Sequence, residues 1–401
     1  MRAAMPRLEN SAKYLWENTA QMLAPGSMHA RSEKIVRTLL DEVGVGVDGE
    51  RPFDFHVHDP AFYTRVLRDG KLGLGEGYMD GQWDCEHLDQ LAYRLGQSRN
   101  LDIRVTSNWR ILAGVLMARA ANMQGIRRAF QVGEEHYDLG NDLYEAMLDE
   151  RMVYTCGYWK DAKTLDEAQQ AKLDLVCRKL GLQAGQRVLE LGCGWGSFAQ
   201  YAAENYGVEV TGYTVSKEQV ELGMRRCKGL PVQLHFADYR SATGSYDAVV
   251  SIGIMEHIGP RNHKSYMEVV DRCLKPGGVS LIHTIGGNLT SDILDPFFDK
   301  YIFKNATLPS LAQLSKASEG KFVIEDVHNI GPDYDLTLMA WDANFVAAWP
   351  ELEKNYGDRF YRMWRYYLGF AAGGFRARYM QLYQLLLTRW GDPQPKTRRL
   401  E

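Results

Sequence analysis

Val188-Leu189-Glu190-Leu191-Gly192-Cys193-Gly194-Trp195-Gly196-Ser197 reads as an apolar strand, a glycine-rich turn and the start of a helix. Without Cβ atoms the turn can close tightly and a ligand can approach its backbone. The helix that follows offers unpaired N–H groups at its start. In a doubly wound sheet such a turn lies at the carboxyl edge of the strands, where ligands bind. A dinucleotide fingerprint would require glycine at the third position after Gly194, and Ser197 stands there. The spacing is G-x-G-x-G, with Glu190 just before it.

Outward from this turn, helices alternate with short apolar strands. The strands expected are Arg187–Leu191, 208–214, Val232–Phe236, 247–252 and 278–283; the helices include Ser197–Tyr206, Lys217–Arg226 and 263–274. Strands separated by helices of this length imply a mostly parallel sheet with right-handed crossovers. Pro276-Gly277-Gly278 reads as a sharp turn into the last of these strands. The segment after Trp349 reads as helical and aromatic-rich, ending in a frayed tail from Pro393. The glycine turn with its β-α units resembles S-adenosylmethionine-dependent methyltransferases, which implies an α/β, Rossmann-like fold. The same resemblance implies cofactor contacts at Tyr154, Thr155, Glu190, Gly192, Gly194, Gly196, Thr214, Ser216, Gln219, Asp238 and Tyr239, with Asp238 beside the adenine. One departure marks a subclass. Where that class commonly has an acidic residue for the ribose, this chain has Tyr213-Thr214-Val215-Ser216, with Gln219 one turn on; hydroxyl and amide groups can still hydrogen-bond ribose.

With 401 residues, two domains are expected: residues 1–125 as a smaller, mainly helical, lipid- or membrane-associating domain, and 126–401 as the catalytic domain. A formal net charge of −4 argues against non-specific nucleic-acid binding. No apolar run approaches the ~18 residues of a membrane span, and Pro6, Glu9 and Asn10 interrupt any signal-peptide core. A cytoplasmic protein that visits the membrane surface is expected. Cys85, Cys156, Cys177, Cys193, Cys227 and Cys273 form no C-x-x-C pair, so free thiols and no metal site are expected.

In the N-terminal part, apolar spacing predicts a helix over 9–40, and Phe53, Phe55 and Val57 alternate as a short strand. His56 and His58 on that strand lack an evident third metal ligand and read as solvent-facing or hydrogen-bonded. Leu72-Gly73-Leu74-Gly75-Glu76-Gly77-Tyr78 reads as a structural turn. Between Asp102 and Glu134, Arg104, Arg110, Arg119, Arg127 and Arg128 occur without an acidic residue, and Trp109, Leu112, Ala113, Leu116 and Ala120 follow helical spacing. Such a helix suits anionic lipid, or equally an apolar face packed on the next domain. Residues 125–133 read as a linker.

Several further stretches resemble the bacterial cyclopropane-fatty-acyl-phospholipid synthases, in order from about Val57 to Arg389: LGLGEGYMDG (72–81), HYDLGNDL (136–143), YTCGYW (154–159), LGCGWG (191–196), EHIG (256–259), HTIG (283–286), DYDLTLMAW (333–341) and FRAR (375–378). The catalytic half is also similar to the mycolic acid cyclopropane synthases. The resemblance implies methyl transfer from S-adenosylmethionine to a cis double bond of a phospholipid acyl chain, followed by ring closure.

An alkene is a poor nucleophile, so positioning must supply much of the rate. The resulting cation is best faced by aromatic rings, because a carboxylate in contact could trap it. A base must then remove a proton from the transferred methyl. The resemblance implies that bound bicarbonate is that base, cradled by Cys156, Glu256, His283, Ile285 and Tyr334. Taken singly, Glu256-His257 could be a helix-capping pair and His283 a core residue; His257 is left as structural. Tyr301, Phe303, Trp341 and Phe375 are candidates to line the acyl chain, although aromatics at helical spacing are more often plain core. Met255 stands where the family often has an aromatic residue. A methyltransferase leaving a branched or methylene chain, or one acting on a small molecule, stays open, as does a homodimer.

Overall fold

The computed structural model describes residues 25–98, 140–291 and 294–397. The arginine-rich stretch around Trp109, the 125–133 linker, the 125/126 boundary and the first half of the 136–143 motif lie outside the described residues. In chain order the N-terminal elements are α1 (Pro25–Asp41), β1 (His56–Val57), α2 (Ala61–Met79), β2 (Trp83–Asp84) and α3 (Leu88–Gln97). Next come α4 (Asn141–Met147), α5 (Leu165–Leu180), β3 (Arg187–Leu191), α6 (Ser197–Tyr206), β4 (Glu209–Thr214), α7 (Lys217–Arg226) and β5 (Val232–Phe236). They are followed by β6 (Tyr246–Ile252), α8 (Met255–Ile258), α9 (His263–Cys273), β7 (Leu274–Gly287), α10 (Pro296–Tyr301) and α11 (Leu311–Ser318). Last are β8 (Phe322–Asn329), α12 (Gly331–Arg376) and β9 (Met380–Arg389).

The sheet runs β5-β4-β3-β6-β7-β9-β8. Its first five strands are parallel; β9 is antiparallel to both β7 and β8. Alternation along β3 sends Val188 into the core on one face and Leu189 into the core on the other. The order reverses between β3 and β6, a topological switch point, and the site opens at the carboxyl ends of those strands. α5 begins with a capping box, Thr164 with Glu167, and ends at left-handed Gly181, so its boundaries follow from local chemistry.

Three expectations are corrected. The 72–78 glycine run is not a turn: it lies in α2, where only Gly70 leaves helical geometry. A Cβ at Gly75 would collide with the ring of Phe297, so these glycines serve close packing. Pro276-Gly277-Gly278 lies within β7 as an irregularity; pairing jumps from Tyr246/Leu274 to Ala248/Val279. The chain after Trp349 is helical only to Arg376, and then returns as β9. That strand is buried from Gln381 to Thr388, so it shows no in–out alternation and its leucines mimic a helix.

The third core joins the described N-terminal elements to α12. Phe55, Phe62 and Trp83 pack in one cluster with Phe297 and with Trp341, Trp364 and Tyr366 of α12. α12 breaks at Gly357, where φ is 72°. Its far end is tied to α3 by Arg376, which lies 2.6 Å from Asp89 and 2.8 Å from Asp335. His58 is hydrogen-bonded, 2.8 Å from Asp84. All six cysteines are buried and free.

Candidate active site

Gly192, Gly194 and Gly196 have φ of 79°, 51° and 77°, the left-handed region that glycine enters freely. The turn is held against β4 by the N–H groups of Gly192 and Cys193, which both donate to Tyr213 O at 2.9 Å. Glu190, Gly192 and Gly194 line one cavity with Thr214, Gln219, Asp238 and Tyr239. The Thr214 hydroxyl donates to Gln219 Oε1 (2.7 Å), which leaves the amide nitrogen as the group Gln219 can present. Asp238 accepts from Arg240 N (2.9 Å) and Nη1 (3.0 Å), so its carboxylate is charge-balanced where it meets the cavity. Gly196 and Ser216 do not line it. Gly196 starts α6, and the Ser216 hydroxyl caps α7 by accepting from Gln219 N (3.3 Å).

The opposite wall comes from α8, β7, α12 and the irregular 154–159 segment. Tyr154, Thr155, Glu256, His283, Ile285 and Tyr334 all reach the cavity. The 154–159 and 333–341 motifs interlock: Gly157 N donates to Thr337 Oγ1 (3.0 Å) and Trp159 N to Asp333 Oδ2 (3.0 Å). Glu256 Oε1 accepts the Ile285 N–H at 2.6 Å, while its Oε2 is buried without a hydrogen-bond partner among the described residues. Burial pushes the Glu256 carboxyl up to about 7, against the pull of backbone N–H groups. His283 Nδ1 meets Gln384 Nε2 at 3.2 Å. With the amide donating there, the ring proton sits on Nε2, which is also buried and unpartnered among the described residues. Burial, reinforced by Lys172 and Lys179, holds His283 well below its ordinary pKa, so the ring is neutral. Cys156 is fully buried and does not line the cavity; its thiol, pushed well up by burial, donates to Gly157 O (3.1 Å).

Of the four aromatics expected along the acyl chain, Phe303 lines the cavity. Tyr301 is turned away: its hydroxyl donates to Glu76 of α2 (2.8 Å), which corrects its placement in the wall. Trp341 and Phe375 stand one layer back, with ring centroids 5.2 Å from Tyr154 and 4.7 Å from Tyr334 respectively. Leu294, Ala306, Leu308 and Leu382 make the adjoining wall apolar.

Four residues at the site escaped the sequence reading. Lys172 lines the cavity from α5, and its signal was a lysine on the helix's apolar face between Ala168 and Val176. Gln384 was hidden with the unread strand β9. Tyr367 bonds the Tyr154 hydroxyl at 2.9 Å. His257, set aside as structural, lines the cavity beside Phe303 (centroids 5.9 Å apart), and burial pulls its pKa down to about 4.

Residues 124–385 match the family model described as mycolic acid cyclopropane synthetase. The chain is 49% identical over 356 residues to the cyclopropane-fatty-acyl-phospholipid synthase of Escherichia coli (strain K12), covering 89% of this chain and 93% of that protein. It is 31% identical over 377 residues to the tuberculostearic acid methyltransferase of Mycobacterium tuberculosis, covering 88% and 87%. A solved structure of a mycolic acid cyclopropane synthase complexed with SAH and CTAB superposes with a TM-score of 0.60 at 31% identity, over 64% of this chain and 97% of that one. On this match and the shared S-adenosylmethionine-dependent methyltransferase fold, the chain belongs to the mycolic acid cyclopropane synthetase family.

Proposed function

We propose that this protein transfers the methyl group of S-adenosylmethionine to a cis double bond of a phospholipid acyl chain and closes it to a cyclopropane ring, with bicarbonate as the base. The observation that carries this reading is the pair of buried, unpartnered groups on one wall, Glu256 Oε2 and His283 Nε2. A buried polar atom without a partner is costly, so such a pair fits a small polar ligand that can both accept from the imidazole and donate to the carboxylate. Bicarbonate has both capacities. Glu256, His283 and Tyr334 would hold it, and it would supply a base beside the transferred methyl.

The remaining work falls to the chain's own groups. Tyr154, Tyr334 and Phe303 line the cavity with aromatic rings, which suits the positive centre left on the second alkene carbon. Glu256 is kept partly protonated by burial, which lowers the risk that it traps that centre. Ring closure then needs only the loss of one proton from the methyl and formation of the second C–C bond, leaving S-adenosylhomocysteine and a proton as the other products. The apolar wall of Leu294, Leu308 and Leu382 suits an acyl chain. Two residues past the end of β7, Leu289 is 80% exposed. Among the described residues no helix is long and apolar enough to cross a membrane. We further propose that the protein works at the membrane surface, at the cytoplasmic face, with 1–125 as the lipid-associating part and 126–401 as the catalytic part. A homodimer would set two such surfaces side by side.

The test is mass spectrometry of acyl chains after incubating the protein with S-adenosylmethionine, bicarbonate and vesicles of cis-unsaturated phospholipid. A gain of one methylene with loss of the double bond supports the proposal. The same gain with a surviving double bond assigns a branching activity, and no transfer removes the phospholipid substrate.

A further inference from the structure

α5 buries Leu165, Ala168, Leu173, Val176 and Leu180, and Lys172 on the same face is fully buried with them. A lysine in such a place needs counter-charge and hydrogen bonds. Its Nζ donates to Thr155 Oγ1 at 2.9 Å. Burial pulls its pKa down to about 8, opposed by Asp149, Cys156 and Glu190. Glu190 is itself fully buried, and its Oε2 has no hydrogen-bond partner among the described residues. Both side chains line the cavity. Neither spends its bonding capacity on the other.

A protonated amine has no acceptor site, so a hydroxyl that accepts from it must send its own proton elsewhere. For Thr155, a cavity-lining residue, that leaves the cavity. Burial pushes the Glu190 carboxyl well up, against Lys172, and an incoming ammonium would draw it back to the charged form. A buried cation acting through a hydroxyl on one side and such a carboxyl on the other is the complement of a zwitterion. We propose that Lys172 is the positioning residue for the amino-acid end of S-adenosylmethionine: it orients Thr155 and balances the ligand carboxylate, while Glu190 takes the ammonium. This rests on the reading of the cavity as the S-adenosylmethionine site.

The experiment compares two ligands by calorimetry. S-adenosylhomocysteine carries the amino-acid end; 5′-methylthioadenosine keeps the nucleoside and sulfur but lacks it. Lys172→Met should weaken S-adenosylhomocysteine binding by about 10- to 100-fold, the range of one charge-assisted hydrogen bond, and leave methylthioadenosine binding unchanged. Thr155→Val should do the same, and the double variant should be no weaker than the weaker single, because the two act as one unit. Methylthioadenosine binding is also the check that each variant is folded. Equal loss of both ligands in Lys172→Met, or an unchanged affinity for S-adenosylhomocysteine, overturns the proposal. Failure of the wild type to bind either ligand removes the cofactor reading beneath it.

Discussion

At the scale of single residues, the site stores its cost in Glu256. Its pKa is raised by burial from 4.5 to about 7, so the folded protein holds a proton there that the unfolded chain has already released. The sign follows from linkage: stability tied to the neutral form is present below the unfolded pKa and is lost as pH rises through about 7. Glu256→Gln keeps the shape without the charge. It should therefore raise stability at pH 8 by on the order of 2 kcal/mol relative to the wild type, and leave stability unchanged at pH 4. Thermal melts at both pH values read this directly, and the variant should be inactive. Gln384→Leu should remove the hydrogen bond that orients His283 and lower kcat roughly 10-fold with little change in the KM for S-adenosylmethionine; an equal rise in KM would assign Gln384 to packing. Glu190, Glu256, His283 and Tyr334 were legible because each sits in a motif of its own. Lys172 and Gln384 were not, because each acts only through a neighbour that the fold brings up from elsewhere.

Elements explain where reading the sequence stops. β3, β5, α6 and α7 fall at the expected boundaries, since each is bounded by glycine, proline or a capping hydroxyl. β9 has no period because both faces are buried, and with it went the antiparallel edge that supports His283. α2 was misread for a different reason: its glycines look like a turn but are spaces for close neighbours, Gly75 for Phe297 and Gly77 for Phe62 and Trp83. Gly75→Ala should accordingly cost about 1–3 kcal/mol in denaturant unfolding, although alanine is the better helix former. α2 and α10 are further joined at Glu76, which meets Lys300 (2.6 Å), Tyr301 (2.8 Å) and Arg65 (2.9 Å). Burial alone would raise its pKa; those partners bring it down to about 2. The stability it contributes is present above its unfolded pKa and fades as pH falls through about 2, so Glu76→Gln should flatten the acid limb of the stability profile.

The whole molecule departs from a picture of two separate bodies. α3 lies on α12, and Phe55, Phe62 and Trp83 share their core with Phe297, Trp364 and Tyr366. Residues 126–401 produced alone should expose that apolar surface, bind a hydrophobic dye and melt lower than the full chain; an unchanged melt would show that the halves are energetically independent. The mostly parallel sheet and its helical N-terminal partner could be inferred from alternation along the chain. Their common core could not, because it is built from aromatics far apart in sequence. The central claim is that a base removes one proton from the transferred methyl and that the double bond is consumed. S-adenosylmethionine with a fully deuterated methyl, supplied with unsaturated phospholipid vesicles and bicarbonate, tests it most directly. The account predicts an acyl product that retains two of the three deuterium atoms and has no double bond; a product retaining all three, or any surviving double bond, contradicts it.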